Sequence, residues 1–179
     1  MLRLRPYKAC DADAIVSWIG DERAFRQWSA DRFGSWPFTA ADLNRHYDAL
    51  AGSDSFYEFT AFDDSGPVGH LIMRFTDGQK TVLRFGFVIV DKRKRGQGCG
   101  REMLHLASRY AFEILKAEKV TLGVFENNQP AYWCYRAAGF REVKTDQPET
   151  YHVLDEDWKC LELELLPEYT QADSGTQIH

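Results

Sequence analysis

The stretch Val90-Asp-Lys-Arg-Lys-Arg95-Gly-Gln-Gly98-Cys-Gly100 decides how the rest of the chain is read. It follows Phe85-Gly-Phe-Val-Ile-Val90, apolar on both faces as a central strand is. It precedes Met103, Leu104, Ala107, Tyr110, Ala111, Ile114 and Leu115, which share the buried side of a strong helix. Glycines let a backbone approach a ligand closely, and a helix N-terminus carries about half a positive charge, so such a junction suits an anion. Lys92, Arg93, Lys94 and Arg95 add countercharge in a chain whose net charge is −5, and this local excess suits a diphosphate better than an acidic polymer. Two familiar phosphate loops are excluded by spacing. Glycines at 96, 98 and 100 followed by Arg101 do not make GxGxxG, and no GxxxxGK[ST] occurs.

Working outward, Val120–Phe125 returns as a strand. Strand 82–91, helix and this strand form a βαβ crossover, so the two strands should be parallel. Upstream, the apolar period is two: strands over 56–62 and 68–75 and the turns Asp63-Asp-Ser-Gly66 and Thr76-Asp-Gly-Gln79 predict a meander leading into 82–91. At the N-terminus Leu2–Tyr7 reads as a short edge strand. Asp11 starts a helix carrying Ala14, Ile15, Trp18 and Ile19, and Thr39-Ala-Ala-Asp42 starts another carrying Leu43, Tyr47 and Leu50. Phe25, Trp28, Phe33, Trp36 and Phe38 between them read as an aromatic connector. Downstream, Asn127-Asn-Gln-Pro130 caps a helix ending at Ala138-Gly139, and two strands follow, the last Trp158–Leu165. The pattern predicts a single α/β domain over residues 1–167, with a mixed, mostly antiparallel sheet of six or seven strands and helices on both faces. The polar tail 168–179 reads as disordered.

A length of 179 residues suits one core, and 44% hydrophobic with 27% charged residues fits a globular chain rather than a disordered or fibrous one. The acidic balance argues against general nucleic-acid binding, and the longest apolar run is far short of the roughly 20 residues that cross a bilayer. No signal-peptide core is visible at the N-terminus. Cys10, Cys99, Cys134 and Cys160 form no CxxC pair or metal-ligand spacing, so a cytoplasmic chain with reduced thiols, no metal and no membrane partner is expected.

Arg95-Gly-Gln-Gly98-Cys-Gly100 resembles the R/Q-x-x-G-x-G/A signature of the GNAT family of N-acetyltransferases. Asn128-Gln-Pro-Ala131-Tyr-Trp-Cys-Tyr135-Arg-Ala-Ala-Gly139-Phe140 is similar to that family's second motif, N-x-x-A-x-x-x-Y-x-x-x-G-F. The two motifs cover residues 82–140 specifically, and the N-terminal element order agrees more loosely. The resemblance implies a splay between the two parallel central strands and transfer of an acetyl group from acetyl-CoA, as co-substrate, to a primary amine by direct attack in a ternary complex. It further implies that Arg93, Arg95, Gly96, Gly98, Cys99 and Gly100 hold the pyrophosphate, that the backbone of Phe87, Val88, Ile89 and Val90 pairs with the pantetheine arm, and that Asn128 contacts the cofactor or orders its loop. Tyr135 matches the general acid that protonates the leaving thiolate; a phenol, with a pKa of about 10, is protonated at neutral pH.

One position departs from the family. Twelve residues before Tyr135 stands Gly123, where some ribosomal-protein acetyltransferases of the family carry a glutamate base. Glu126, Asp91, His70 or a water chain remain as routes for the amine proton. The acceptor is a small-molecule amine or a protein N-terminus, and a homodimer is open. The aromatic set around Trp18, Trp28 and Trp36 either lines an acceptor pocket or forms a satellite core, and Asp21, Glu22 and Asp31 either attract a cationic amine or form a solvated face. The alternative from another class is a non-catalytic acetyl-CoA-binding sensor or interaction module on the same fold.

Overall fold

In the computed structural model, which describes residues 1–168, the chain runs β1 (Arg3–Pro6), α1 (Ala12–Ser17), α2 (Glu22–Ser29), α3 (Ala40–Leu50), β2 (Phe56–Asp63), β3 (Gly66–Phe75) and β4 (Val82–Val90). It continues through α4 (Cys99–Arg109), β5 (Lys119–Phe125), α5 (Gln129–Ala137), β6 (Arg141–Val143), β7 (Thr150–Val153) and β8 (Glu156–Leu165). Eight strands form one sheet in the order β1-β2-β3-β4-β5-β8-β6, with β7 paired to β8. Among the described residues only β4 and β5 pair in parallel, as the crossover demands.

The fold class is the expected one, and the strand count exceeds the expected six or seven. The excess lies in β6 and β7, three and four residues long, which both pair with β8. β6 is exposed along its whole length and so has no apolar face to read, and β7 offers only Tyr151 and Val153 within four residues. A second difference is α2, which occupies part of the supposed aromatic connector. The Asp21 carboxylate caps it by accepting from the Ala24 backbone N–H at 2.8 Å, and Phe25 is fully buried beneath it. Except for Glu168, the tail expected to be disordered lies outside the described residues.

Helices cover both faces of the sheet. On one face α4 and α5 bury Met103, Leu104, Ala107 and Tyr135 against Leu71, Met73, Leu83, Phe85 and Leu122. On the other, α1, α2 and α3 bury Ile15, Phe25, Leu43 and Tyr47 with Ile72, Phe87 and Ile89. Residues 71–73 therefore split between the two cores, as strand alternation requires. Ile114, expected on the buried side of its helix, is exposed. The helix widens to a π-turn over Tyr110–Ile114, with the Leu115 N–H bonded to the Tyr110 carbonyl, and the extra residue per turn rotates Ile114 out of phase. Among the described residues no helix is long and apolar enough to cross a membrane.

Candidate active site

The site begins where two strands part. β4 and β5 pair only from Val82–Lys119 to Arg84–Thr121. On the other side of β4 the register with β3 slips by one residue between Ile72–Gly86 and His70–Ile89, and Phe87 inside that bulge has a φ of 49°. A bulge adds an unpaired residue and bends its strand, and beyond Arg84 β4 no longer pairs with β5. Phe87 holds a left-handed conformation uncommon for a bulky residue, held by packing against Trp28 and Phe33. The gap is a cavity of about 750 Å³. Phe85–Val90 form one wall and Leu122–Val124 the other, with Trp28 on one side and Ala131, Cys134 and Tyr135 of α5 on the other.

At one end of the cavity stands the N-terminus of α4. Gly96 and Gly98 have φ of 72° and 84°, values that glycine adopts without a Cβ penalty, and Gly98 caps α4 without a side chain. The first N–H groups of the helix are thereby left for an outside acceptor. Arg95, Gly96, Gly98, Gly100 and Arg101 line this end. Arg95 is fixed there, its Nε donating to the Val90 carbonyl at 3.1 Å and its Nη2 to the Trp18 carbonyl at 3.4 Å. At Gly100 a Cβ would lie 2.9 Å from the Cys134 Sγ, so glycine lets α4 and α5 close against each other.

Of the expected pyrophosphate residues, Arg93 and Cys99 do not line the cavity. Arg93 is drawn away by buried Asp91, which accepts from its Nη2 at 2.7 Å and from its backbone N–H at 2.9 Å. The Arg93 bond in turn holds the Asp91 carboxyl below its usual range. Lys94 is similarly engaged, with its Nζ 3.2 Å from Asp63. Cys99 packs partly buried against the main core. The charge excess legible in 92–95 is thus largely spent on bracing the loop.

Tyr135 lines the cavity from α5. Burial pushes its hydroxyl well above the usual phenol value, so it is protonated across the neutral range. Among the described residues the hydroxyl has no protein partner. Asn128 lines the cavity too, and although it occupies the N-cap of α5 its side chain makes no capping bond.

None of the three side chains considered for the amine proton lines the cavity. Asp91 is tied to Arg93, and Glu126 is exposed on the turn after β5. His70 is wholly buried between Tyr7 and Tyr47, bonded to the Tyr47 hydroxyl at 2.6 Å, and burial pushes its pKa down to about 3. At Gly123 a Cβ would meet the Arg84 Nη2 at 2.7 Å and the Cys160 Sγ at 2.9 Å. The volume a glutamate would take is filled by the Arg84 guanidinium, which pairs with Glu162, the residue opposite Gly123 on β8.

The sequence left Trp28 open between pocket lining and satellite core, and it gave no notice of Gln27. Trp28 borders the cavity with its indole N–H buried and without a partner among the described residues, and the Gln27 side-chain amide, also lining it, donates to the Asn127 Oδ1 at 3.1 Å. The signal for Gln27 was the Asp21 cap, which starts α2 and sets Gln27 beside Trp28 on it. A second cavity of about 340 Å³ opens on the α2–α3 side of the splay and shares Gln27, Trp28, Phe85, Gly86, Phe87, Gly123 and Val124 with the first. Trp28 is therefore both core and lining. Asp21 caps α2 and Glu22 pairs with Arg26 at 3.1 Å, and neither lines a cavity, so these acids are not displayed to a ligand.

A family model for the acetyltransferase (GNAT) domain matches residues 1–141. The chain belongs to the GNAT family. Over 52 residues, 29% of its length, this GNAT chain is 35% identical to the spermine/spermidine N(1)-acetyltransferase of Bacillus subtilis strain 168, and the match spans about a third (34%) of that relative. The same identity and coverage hold for the probable spermine N(1)-acetyltransferase of Bacillus subtilis subsp. natto. Among solved structures it resembles the spermidine N-acetyltransferase from Vibrio cholerae in complex with CoA and spermine, with a TM-score of 0.79 and 19% identity over 95% of this chain and 98% of that one. It also resembles the aminoglycoside acetyltransferase AAC(6')-Ib in complex with coenzyme A and kanamycin, with a TM-score of 0.74 and 16% identity over 98% and 100%. At these identities the likeness is one of fold.

Proposed function

We propose that the protein is an acetyl-CoA-dependent N-acetyltransferase acting on a small-molecule primary amine. The observation that carries this is the splay beyond Arg84–Thr121, whose larger cavity is lined both by the N-terminal turn of α4 and by Tyr135. The residues fit acetyl-CoA: the glycine turn and helix N-terminus offer N–H donors to a diphosphate, Arg95 adds a fixed charge, and the unpaired edge of β4 offers strand-like hydrogen bonds to an extended amide arm. Asn128 has a free side chain facing the same space. Arg93 and Cys99, expected from the motif, take a supporting part in the loop and the helix start. Acetyl-CoA supplies the acetyl group as an activated thioester.

The chain's own residues then position and move protons. The acceptor enters from the smaller cavity as the free amine. Its nitrogen forms the C–N bond as the C–S bond breaks, Tyr135 gives its proton to the departing sulfur, and the proton released from nitrogen restores the phenol through solvent. No lining carboxylate is available as a base, which favours an amine already deprotonated on arrival. Direct attack is supported over a cysteine acyl-enzyme, because burial raises the Cys134 thiol and no base stands beside it. That the B. subtilis relatives are named for polyamines supports a small acceptor over a protein N-terminus.

Thiol release from acetyl-CoA, followed over a panel of primary amines, tests the proposal. Turnover with at least one amine is expected. Tight acetyl-CoA binding without turnover of any amine would instead favour the non-catalytic sensor.

A further inference from the structure

The smaller cavity is lined by Arg32, Arg74, Arg84 and His46, and no Asp or Glu lines it. Arg74 and Arg84 are register partners on β3 and β4, so two like charges stand side by side on one sheet face. Such a pair is unfavourable without a counter-charge. Arg84 has one, since Glu162 lies 2.5 Å from its Nη1. Arg74 does not: it is half-buried and has no carboxylate partner among the described residues, and neither has Arg32. Burial, Arg32 and Arg84 together lower the Arg74 guanidinium from its usual value. His46 is held low by burial and by Arg32, so it stays neutral near neutral pH and offers the arginines no counter-charge. Glu149 and Asp31 act on the Tyr151 hydroxyl, which burial and Glu149 push up to about 12, and neither they nor Glu58 on β2 line the cavity. The unpartnered Trp28 indole N–H borders the same space.

We infer that the acceptor amine carries an anionic group, a carboxylate or phosphoryl, which binds in the smaller cavity against Arg74 and Arg32 while its amine reaches the splay. This rests on the acetyltransferase reading above and names its substrate class. An anion there completes Arg74 with charge-assisted hydrogen bonds and relieves the Arg74–Arg84 repulsion. A polyamine would place ammonium groups beside unpaired guanidinium groups, the arrangement that excludes a wrong partner. The chain therefore differs in acceptor from the polyamine enzymes it is similar to.

The test has two arms on the full-length wild-type protein and on Arg74→Gln and Arg74→Glu. Calorimetric titration with acetyl-CoA is the first arm, and its absence in wild type would overturn the acetyltransferase reading and the acceptor class with it. The second compares kcat/KM by thiol release for matched probes: α-amino acids against their methyl esters and decarboxylated amines, O-phosphoethanolamine against ethanolamine, and spermidine. The anionic member of at least one pair should be preferred by about tenfold or more, with carboxylate and phosphate pairs telling the two groups apart. Arg74→Gln should raise KM for that probe with a smaller change in kcat, Arg74→Glu should abolish the preference, and both should keep wild-type affinity for acetyl-CoA. Preference for esters, decarboxylated amines or spermidine would overturn the inference, as would a preference for the anion that survives in Arg74→Glu. Acetyl-CoA binding with no turnover of any anionic probe would overturn it too.

Discussion

Tyr135 and His70 are both buried ring groups whose titration is displaced by desolvation, and only their placement separates them. Tyr135 faces the cavity, so its proton is usable; Tyr135→Phe should lower kcat about 100-fold or more while leaving the calorimetric affinity for acetyl-CoA within about twofold. Equal turnover in mutant and wild type would remove the hydroxyl from the reaction. His70 is locked against Tyr47 and acts on stability alone. Its folded pKa of about 3 lies below the ordinary value of 6.5. The unfolded chain therefore binds a proton that the native one refuses, and stability falls as pH drops from about 6.5 toward 3, by about 1.4 kcal/mol per unit from this residue. Denaturant melts between pH 7 and 5, above the carboxylate range, should show a smaller loss for His70→Gln than for wild type.

At the level of elements, β4 and the turn into α4 do most of the positioning. Gly98→Asp would set a carboxylate at the helix N-terminus, where open space surrounds the new Cβ, so the chain should fold with about 1–2 kcal/mol of backbone strain and lose acetyl-CoA binding. Unchanged affinity would refute the role of the loop. Gly100→Ala pushes α4 from α5 through Cys134 Sγ and should cost about 1–3 kcal/mol; Cys134→Ala in the same chain should restore most of it, a coupling that urea melts of the double-mutant cycle would show. These two elements were the most legible in the sequence. A glycine-punctuated basic loop between a two-faced apolar strand and an amphipathic helix has few structural solutions, and the asparagine-to-tyrosine spacing put Tyr135 on the cavity side of α5. The Phe87 bulge was not legible, since a positive φ at phenylalanine is imposed by surrounding packing rather than by its own preference. Nor was the diversion of Arg93, which depends on Asp91 being buried two residues earlier and needing a charge. The arginines of the smaller cavity escaped notice because they come from the α2–α3 connection, β3 and β4, and only the sheet register brings Arg74 beside Arg84.

For the whole molecule, the sheet separates two hydrophobic cores, one under α4 and α5 and one under α1 to α3, and the splay is lined from both, so a ligand lodged between β4 and β5 ties them together. A ligand that binds only the folded state at about 100 times its Kd adds about 2.7 kcal/mol, which in a domain of this size raises Tm by roughly 5–10 °C. Acetyl-CoA should produce that shift in a thermal melt, and Gly98→Asp should show none. The most direct measurement is calorimetric titration of the purified protein with acetyl-CoA, with NADH and ATP as controls. One-to-one binding of acetyl-CoA alone is the predicted result; equal binding of all three, or none of acetyl-CoA, would contradict the assignment of the splay as the acetyl-donor site.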